Sequence, residues 1–189
     1  MTKVAVVYHS KYGHTEAVAK SVQAGAQRVS DTEVKLVSVT DIDQCWDDLH
    51  SADAIIFGCP TYMGSASADF KKFMEASSGF WMEQKWKDKL AAGFTNSASQ
   101  SGDKLNTLVQ QAIFAAQHGM IWVSLGMLPG NNSSTASIND LNRLGSFMGA
   151  MAQSNNDQGP DEAPLVNDHE TAALLGLRVA ELAQRFAGR

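Results

Sequence analysis

The chain has 189 residues, 44% of them hydrophobic and 19% charged, with a formal net charge of −5. That length suits one domain burying roughly 70% of its unfolded surface without help from a disulfide or metal, and no apolar run approaches the eighteen or so residues of a membrane span. The scattered Lys and Arg form no basic stripe for nucleic acid, and Cys45 and Cys59 lack C-x-x-C spacing, so two reduced thiols are expected in place of a disulfide framework or zinc knuckle.

Met1-Thr2-Lys3 leads straight into a first strand, so no signal peptide is read and a cytoplasmic protein is expected. Residues 4 to 8, Val-Ala-Val-Val-Tyr, are mostly β-branched or aromatic and run without polar interruption, as in a strand buried on both faces of a parallel sheet. Helical spacing of Val18, Val22, Ala26 and Val29 follows, and the loop between them, Ser10 to Thr15, has the length of a βα connection. Val34 to Val39 reads as a second strand, with a helical turn from Asp41 to Leu49. Asp53 to Gly58 is the third strand, which Pro60 is expected to end, opening the loop Cys59 to Gly64. Ala66, Phe70, Phe73 and Met74 mark a helix, and the aromatic stretch Ser77 to Asp88 is irregular. Leu90 to Asn96 is the fourth strand and Asn96 to Gly102 a polar loop. A helix from Asp103 to His118 is expected to bury Leu105, Leu108, Ala112 and Ala116, and Met120 to Leu125 is the fifth strand. Residues 126–165 read as a long loop insertion in a single domain spanning 1–189, functional because Leu144, Phe147, Met148 and Met151 are too apolar for a linker. The last helix is expected to be capped by Asn167 and to bury Leu175, Val179, Leu182 and Phe186.

Five strands alternating with helices give an α/β, doubly wound sandwich: a five-stranded parallel sheet with helices on both faces. In such sheets ligands bind beyond the carboxyl ends of the strands, and if strands one, three and four are neighbours the loops after them converge on one edge. In the first, Ser10 and Thr15 offer hydroxyls, Gly13 lets successive amides converge, and a helix N-terminus follows, a combination suited to a phosphate. Neither G-x-x-x-x-G-K-[ST] nor G-x-G-x-x-G occurs, which leaves a monophosphate ester. In the second, Pro60 to Gly64 would lie along a flat ring, with Tyr62 or Met63 on a face. In the third, Asn96 to Ser101 would hold the ring's other edge with small donors.

A strand followed by S/T-x-x-G-x-T resembles the phosphate loop of the flavodoxin-like FMN proteins. Y-x-S-x-Y-G-H more narrowly resembles the WrbA-type NAD(P)H:quinone oxidoreductases, as do P-T-Y-M-G, S-S-G-F-W, Gln117-His118-Gly119-Met120 and Leu144 to Ala150. The resemblance implies the flavodoxin-like sheet order 2-1-3-4-5 and bound FMN. It assigns FMN contacts to Ser10, Lys11, Tyr12, Gly13, His14 and Thr15, to Thr61, Tyr62 and Met63 flanked by Pro60 and Gly64, and to Asn96, Ser97, Ala98, Ser99, Gln100 and Ser101. Trp81 would flank the substrate, near Gln117 and His118, in a homo-tetramer or homo-dimer whose subunits complete the pocket. Three departures stand out: Gln117 replaces the first His of the family's H-H-G-M, unless His118 takes its place through a one-residue shift, Tyr62 replaces an Arg, and Ser97 to Gln100 is poorer in Gly.

The implied function is an FMN-dependent oxidoreductase passing two electrons as hydride from NADH or NADPH to a quinone or similar acceptor by a ping-pong mechanism, with no membrane or nucleic-acid partner. The alternative is a flavodoxin-type one-electron carrier, against which the modest charge counts. A flavin-free signalling domain would want acids after the first strand, where Tyr8-His9-Ser10 offers none. No side chain is required as acid or base, though His118 or Tyr62 could donate to an acceptor; otherwise His14 is a cap residue, His118 a helix-end cation and Cys59 a buried small hydrophobe.

Overall fold

The computed structural model describes residues 1–188. The chain runs β1 (Thr2–Tyr8), α1 (His14–Ala26), β2 (Thr32–Ser38), a 3-10 segment (Val39–Gln44), α2 (Trp46–Ser51), β3 (Ala54–Tyr62), β4 (Ser65–Ala66), α3 (Ala68–Ala76) and α4 (Ser78–Met82). It continues through β5 (Leu90–Ser97), α5 (Lys104–Gln117), β6 (Ile121–Trp122), β7 (Ala150–Gln153) and α6 (Val166–Phe186). The main sheet is parallel in the order β2-β1-β3-β5, with β6 and β7 sharing the next position, which is the order 2-1-3-4-5 implied by the resemblance.

The inner strands β1, β3 and β5 are mostly apolar because both faces are covered. Val4, Val6, Ala54, Ile56, Ala92 and Phe94 face α1 and α6, while Ala5, Val7, Ile55, Phe57 and Ala91 face the layer of α2, α3 and α5. The first layer is tight. A Cβ at Gly25 would fall 1.7 Å from the Ala173 carbonyl oxygen and one at Gly176 2.0 Å from that of Val22, so α1 and α6 meet backbone to backbone.

Several sequence expectations change. Pro60 does not end its strand: β3 runs on to Tyr62, with Pro60 in register with Asn96. The Gly58 carbonyl accepts from His9 on the β1 side, so two residues later the proline's missing N–H faces the same way, past the end of β1, where nothing needs it. The fifth strand is split. Ile121–Trp122 pairs with the start of β5 and Ala150–Gln153 with its end, so the span 126–165 contains a strand and returns to the sheet. The aromatic stretch holds α4 and the fully buried Trp86. Helix α5 turns a different face inward, burying Lys104, Thr107, Leu108, Gln111, Phe114 and Ala115, whereas Leu105 is 54% exposed and Ala116 is also exposed. In α6, Leu165 is the N-cap, Asn167 and Asp168 are buried inside the helix, and Phe186 is 63% exposed.

Candidate functional site

The carboxyl ends of β1, β3, β5 and β7 open on one rim. At the end of β1, His9 is tied down: its N–H donates to the Gly58 carbonyl at 2.9 Å, its Nδ1 shares a 2.7 Å hydrogen bond with Ser67 Oγ, and Nε2 lies 3.5 Å from Asp69. Burial lowers its pKa, against the pull of Asp69. The chain is thereby released into residues 10–15. Gly13 is the N-cap of α1 at φ 90°, and its N–H donates to Ser10 Oγ at 3.1 Å. Ala17 makes the first helical bond, to Gly13 O, so the N–H groups of His14, Thr15 and Glu16 have no intrahelical acceptor. A Cβ at Gly13 would lie 2.9 Å from Pro160 Cγ.

Beyond β3, the Thr61 hydroxyl is buried and hydrogen-bonded to those of Thr95 (2.8 Å) and Thr107 (2.7 Å), so it braces the sheet against α5. Tyr62 is partly exposed at the rim, whereas Met63 is 100% exposed and turned away. Beyond β5, the loop is stapled to the segment after β7: Ser154 N donates to Ser97 O (3.2 Å), Ser154 Oγ to Asn96 Oδ1 (3.0 Å) and Gln153 Nε2 to Ala98 O (3.0 Å). From below, Lys104 Nζ donates to Ser97 Oγ (3.0 Å) and Ser99 O (2.6 Å).

These loops enclose a cavity of about 450 Å³. Ser10, Lys11, Tyr12, His14, Thr15, Pro60, Tyr62, Asn96, Ser97 and Ala98 line it, joined by Ser154 to Asn156 and Gln158 to Pro160. The far wall is fastened to the first loop by His14 Nε2, which donates to the Gln158 carbonyl at 2.9 Å. Although the chain is acidic, no Asp or Glu lines the cavity, while Lys11 and His14 do, so an anion meets no repulsion there. Gly13 lies against Pro160 of that wall, and the buried Thr61 does not line the cavity. Gln100 and Ser101 instead line a neighbouring groove of about 830 Å³ with Leu105, Phe147, Met148 and Met151.

The three residues expected beside a substrate are not brought to this cavity by the chain's own fold. Helix α5 runs back along the sheet, so Gln117 and His118 emerge near the amino end of β5. His118 is buried between Trp86 (4.3 Å between ring centroids) and Phe114 (4.8 Å), and its Nε2 shares a 2.9 Å hydrogen bond with Ser77 Oγ. Burial lowers its pKa to about 4, and it is no helix-end cation. Trp81 lies on α4, partly exposed. Cys59 is buried, with its thiol pushed up to about 12 by burial, as a small hydrophobe would be; Cys45 is also free.

Two features were not read from the sequence. One is the wall 154–160, visible there only as a polar stretch. The other is a buried polar network: Arg143 donates from Nε and Nη2 to Asp168 (2.8 and 2.7 Å), and Asp168 accepts from Gln153 N (3.0 Å). No sequence spacing signalled that pair, whose members lie 25 residues apart. Among the described residues no cluster of His, Cys, Asp or Glu is placed to hold a metal ion, and no helix is long and apolar enough to cross a membrane.

The family model for flavodoxin matches residues 6–121. Flavodoxin FldP of Pseudomonas aeruginosa is 45% identical over 187 residues, covering 98% of this chain and 99% of the relative. An NAD(P)H dehydrogenase (quinone) of Chromohalobacter salexigens is 30% identical over the full length of both chains. Among solved structures, the flavodoxin, WrbA-like protein from Agrobacterium tumefaciens superposes with a TM-score of 0.77 at 42% identity, covering 98% of this chain and 99% of that one.

Proposed function

The chain belongs to the flavodoxin family, and we propose that its rim cavity holds FMN and that the protein passes electrons as hydride from NADH or NADPH to a quinone or similar acceptor by ping-pong alternation. The observation that carries the cofactor reading is the convergence of the loops after β1, β3 and β5 on one carboxylate-free cavity. Its volume is in the usual range for small-molecule sites, about 300–1,000 Å³.

The residues fit the group. The free amides of residues 14–16, with the Ser10 and Thr15 hydroxyls and Lys11 nearby, suit a phosphate. Pro60 and Tyr62 supply flat surface for a ring, and Asn96 to Ala98 supply polar edge contacts. The wall 154–160 closes the remaining side against water. The flavin supplies the redox chemistry when bound, and the chain's own residues bind, orient and shield it.

The relative named NAD(P)H dehydrogenase (quinone), aligned over its full length, supports the enzyme reading. The relative named flavodoxin favours the second reading, a one-electron carrier, at higher identity. We place the protein in the cytoplasm as a homo-tetramer or homo-dimer, in which Trp81 and Gln117, exposed on one copy, could reach a neighbour's cavity while His118 stays in its own core. The discriminating experiment is steady-state oxidation of NADPH and NADH with benzoquinone by protein saturated with FMN. Turnover through parallel-line kinetics is expected. Full FMN occupancy without turnover would leave the carrier.

A further inference from the structure

Lys104 is the first residue of α5 and is 0% exposed. Its ammonium sits under the loop that walls the cavity, donating to Ser97 Oγ and the Ser99 carbonyl. The charged groups that act on it are Asp168 from α6 and Arg143 from the segment before β7. Because Arg143 and Asp168 neutralise each other in a two-pronged ion pair, the cluster retains one uncompensated positive charge. Its direct hydrogen-bond partners, the Ser97 hydroxyl and the Ser99 carbonyl, are neutral. Burial lowers its pKa to about 8, the Asp168 carboxylate opposing and the Arg143 guanidinium reinforcing the shift. A loop latch alone needs only donors, which an uncharged side chain supplies without taking an ion out of water. A charge kept there in spite of that cost, beside a cavity, marks a functional group.

We propose that Lys104 is a positioning charge for electron transfer, favouring the negative charge that a flavin held in the cavity gains on reduction. The inference rests on the reading of the cavity as an FMN site and deepens it. Hydride transfer from a dihydronicotinamide breaks one C–H bond and delivers two electrons and one proton, leaving the donor oxidised and the flavin ring with one added negative charge. An ammonium behind Ser97 stabilises that charge without contacting the ring. It raises the potential for the second electron and so favours two-electron exchange over one-electron shuttling.

The test is spectroelectrochemical titration of the FMN-loaded protein, wild type against Lys104→Gln and Lys104→Met. Gln keeps a donor for Ser97 or Ser99 and removes the charge. Both variants are expected to lower the second-electron equilibrium about tenfold, a 59 mV fall for one electron, while the FMN dissociation constant of Lys104→Gln changes less than threefold. In the wild type, that potential is expected to acquire an extra one-proton dependence as pH rises above about 8, absent from Lys104→Gln. The sign follows because the neutral amine no longer supports the added charge unless reduction draws a proton back onto it. Unchanged potentials in a Lys104→Gln variant that binds FMN normally would reduce Lys104 to a latch. If neither variant folds, a wild-type potential with no such inflection between pH 7 and 10 overturns the proposal by itself. Failure of the wild-type protein to bind FMN would instead overturn the reading of the cavity.

Discussion

Replacing Asp168 with Ala tests whether the network behind the cavity is a structural keystone. The Arg143 and Asp168 side chains are 1% and 2% exposed, so water cannot compensate either charge. The variant strands the guanidinium, whose Nη1 already lacks a hydrogen-bond partner among the described residues, and removes the acceptor for Gln153 N. Breaking a buried pair by removing one member costs about 3–5 kcal/mol, a large share of the roughly 5–15 kcal/mol that holds a domain together. For a chain of this size that is a fall in Tm of about 6–20 °C, at roughly 2–4 °C per kcal/mol. The assay is urea unfolding of wild type, Asp168→Ala, Arg143→Met and the double variant Asp168→Ala/Arg143→Met. The double variant is expected to be more stable than Asp168→Ala, because no unpaired ion remains. A loss below about 1 kcal/mol in Asp168→Ala, or strictly additive effects in the double variant, would refute the reasoning.

Gly13→Ala forces a Cβ into the left-handed region and against Pro160. At about 1–3 kcal/mol for such strain, an FMN dissociation constant at least fivefold weaker is expected by flavin fluorescence titration, and an unchanged constant would contradict the tight junction of loop and wall. His118 makes stability depend on acid. Its folded pKa is depressed to about 4, against roughly 6.5 in an unfolded chain, so the unfolded state binds the extra proton first. The contribution is present above pH 6.5 and is lost as pH falls toward 4. His118→Gln is expected to give a shallower fall in unfolding free energy across that window, measured by urea denaturation, and an identical slope would show that His118 binds its proton equally in the folded and unfolded states.

The parallel sheet was legible because strands buried on both faces read as continuous apolar runs, whereas its strand order came only from the family resemblance of the loops that follow those runs. The inward face of α5 was not legible. Apolar periodicity pointed to Leu105 and Ala116, but the helix turns Lys104, Thr107 and Gln111 toward Ser97, Thr61 and Phe94 O. Hydrogen bonds to specific partners, invisible to a hydropathy pattern, decided the rotation. The return strand β7 was hidden for a related reason: Ala150–Gln153 pairs with β5 only after a long excursion, and four residues carry too little periodicity to declare themselves. Asn167 had the composition of a cap, yet its amide is spent on the Ile138 and Asp140 carbonyls.

The interrupted outer strand also bears on solubility. With two residues paired at one end of β5 and four at the other, the margin presents no long row of amides and carbonyls for a stray polypeptide to extend. On the opposite margin, β2 places Glu33 and Lys35 among its residues, charges that discourage a second strand from docking flat. The excursion that builds one side of the cavity thus also removes a template for fibril growth.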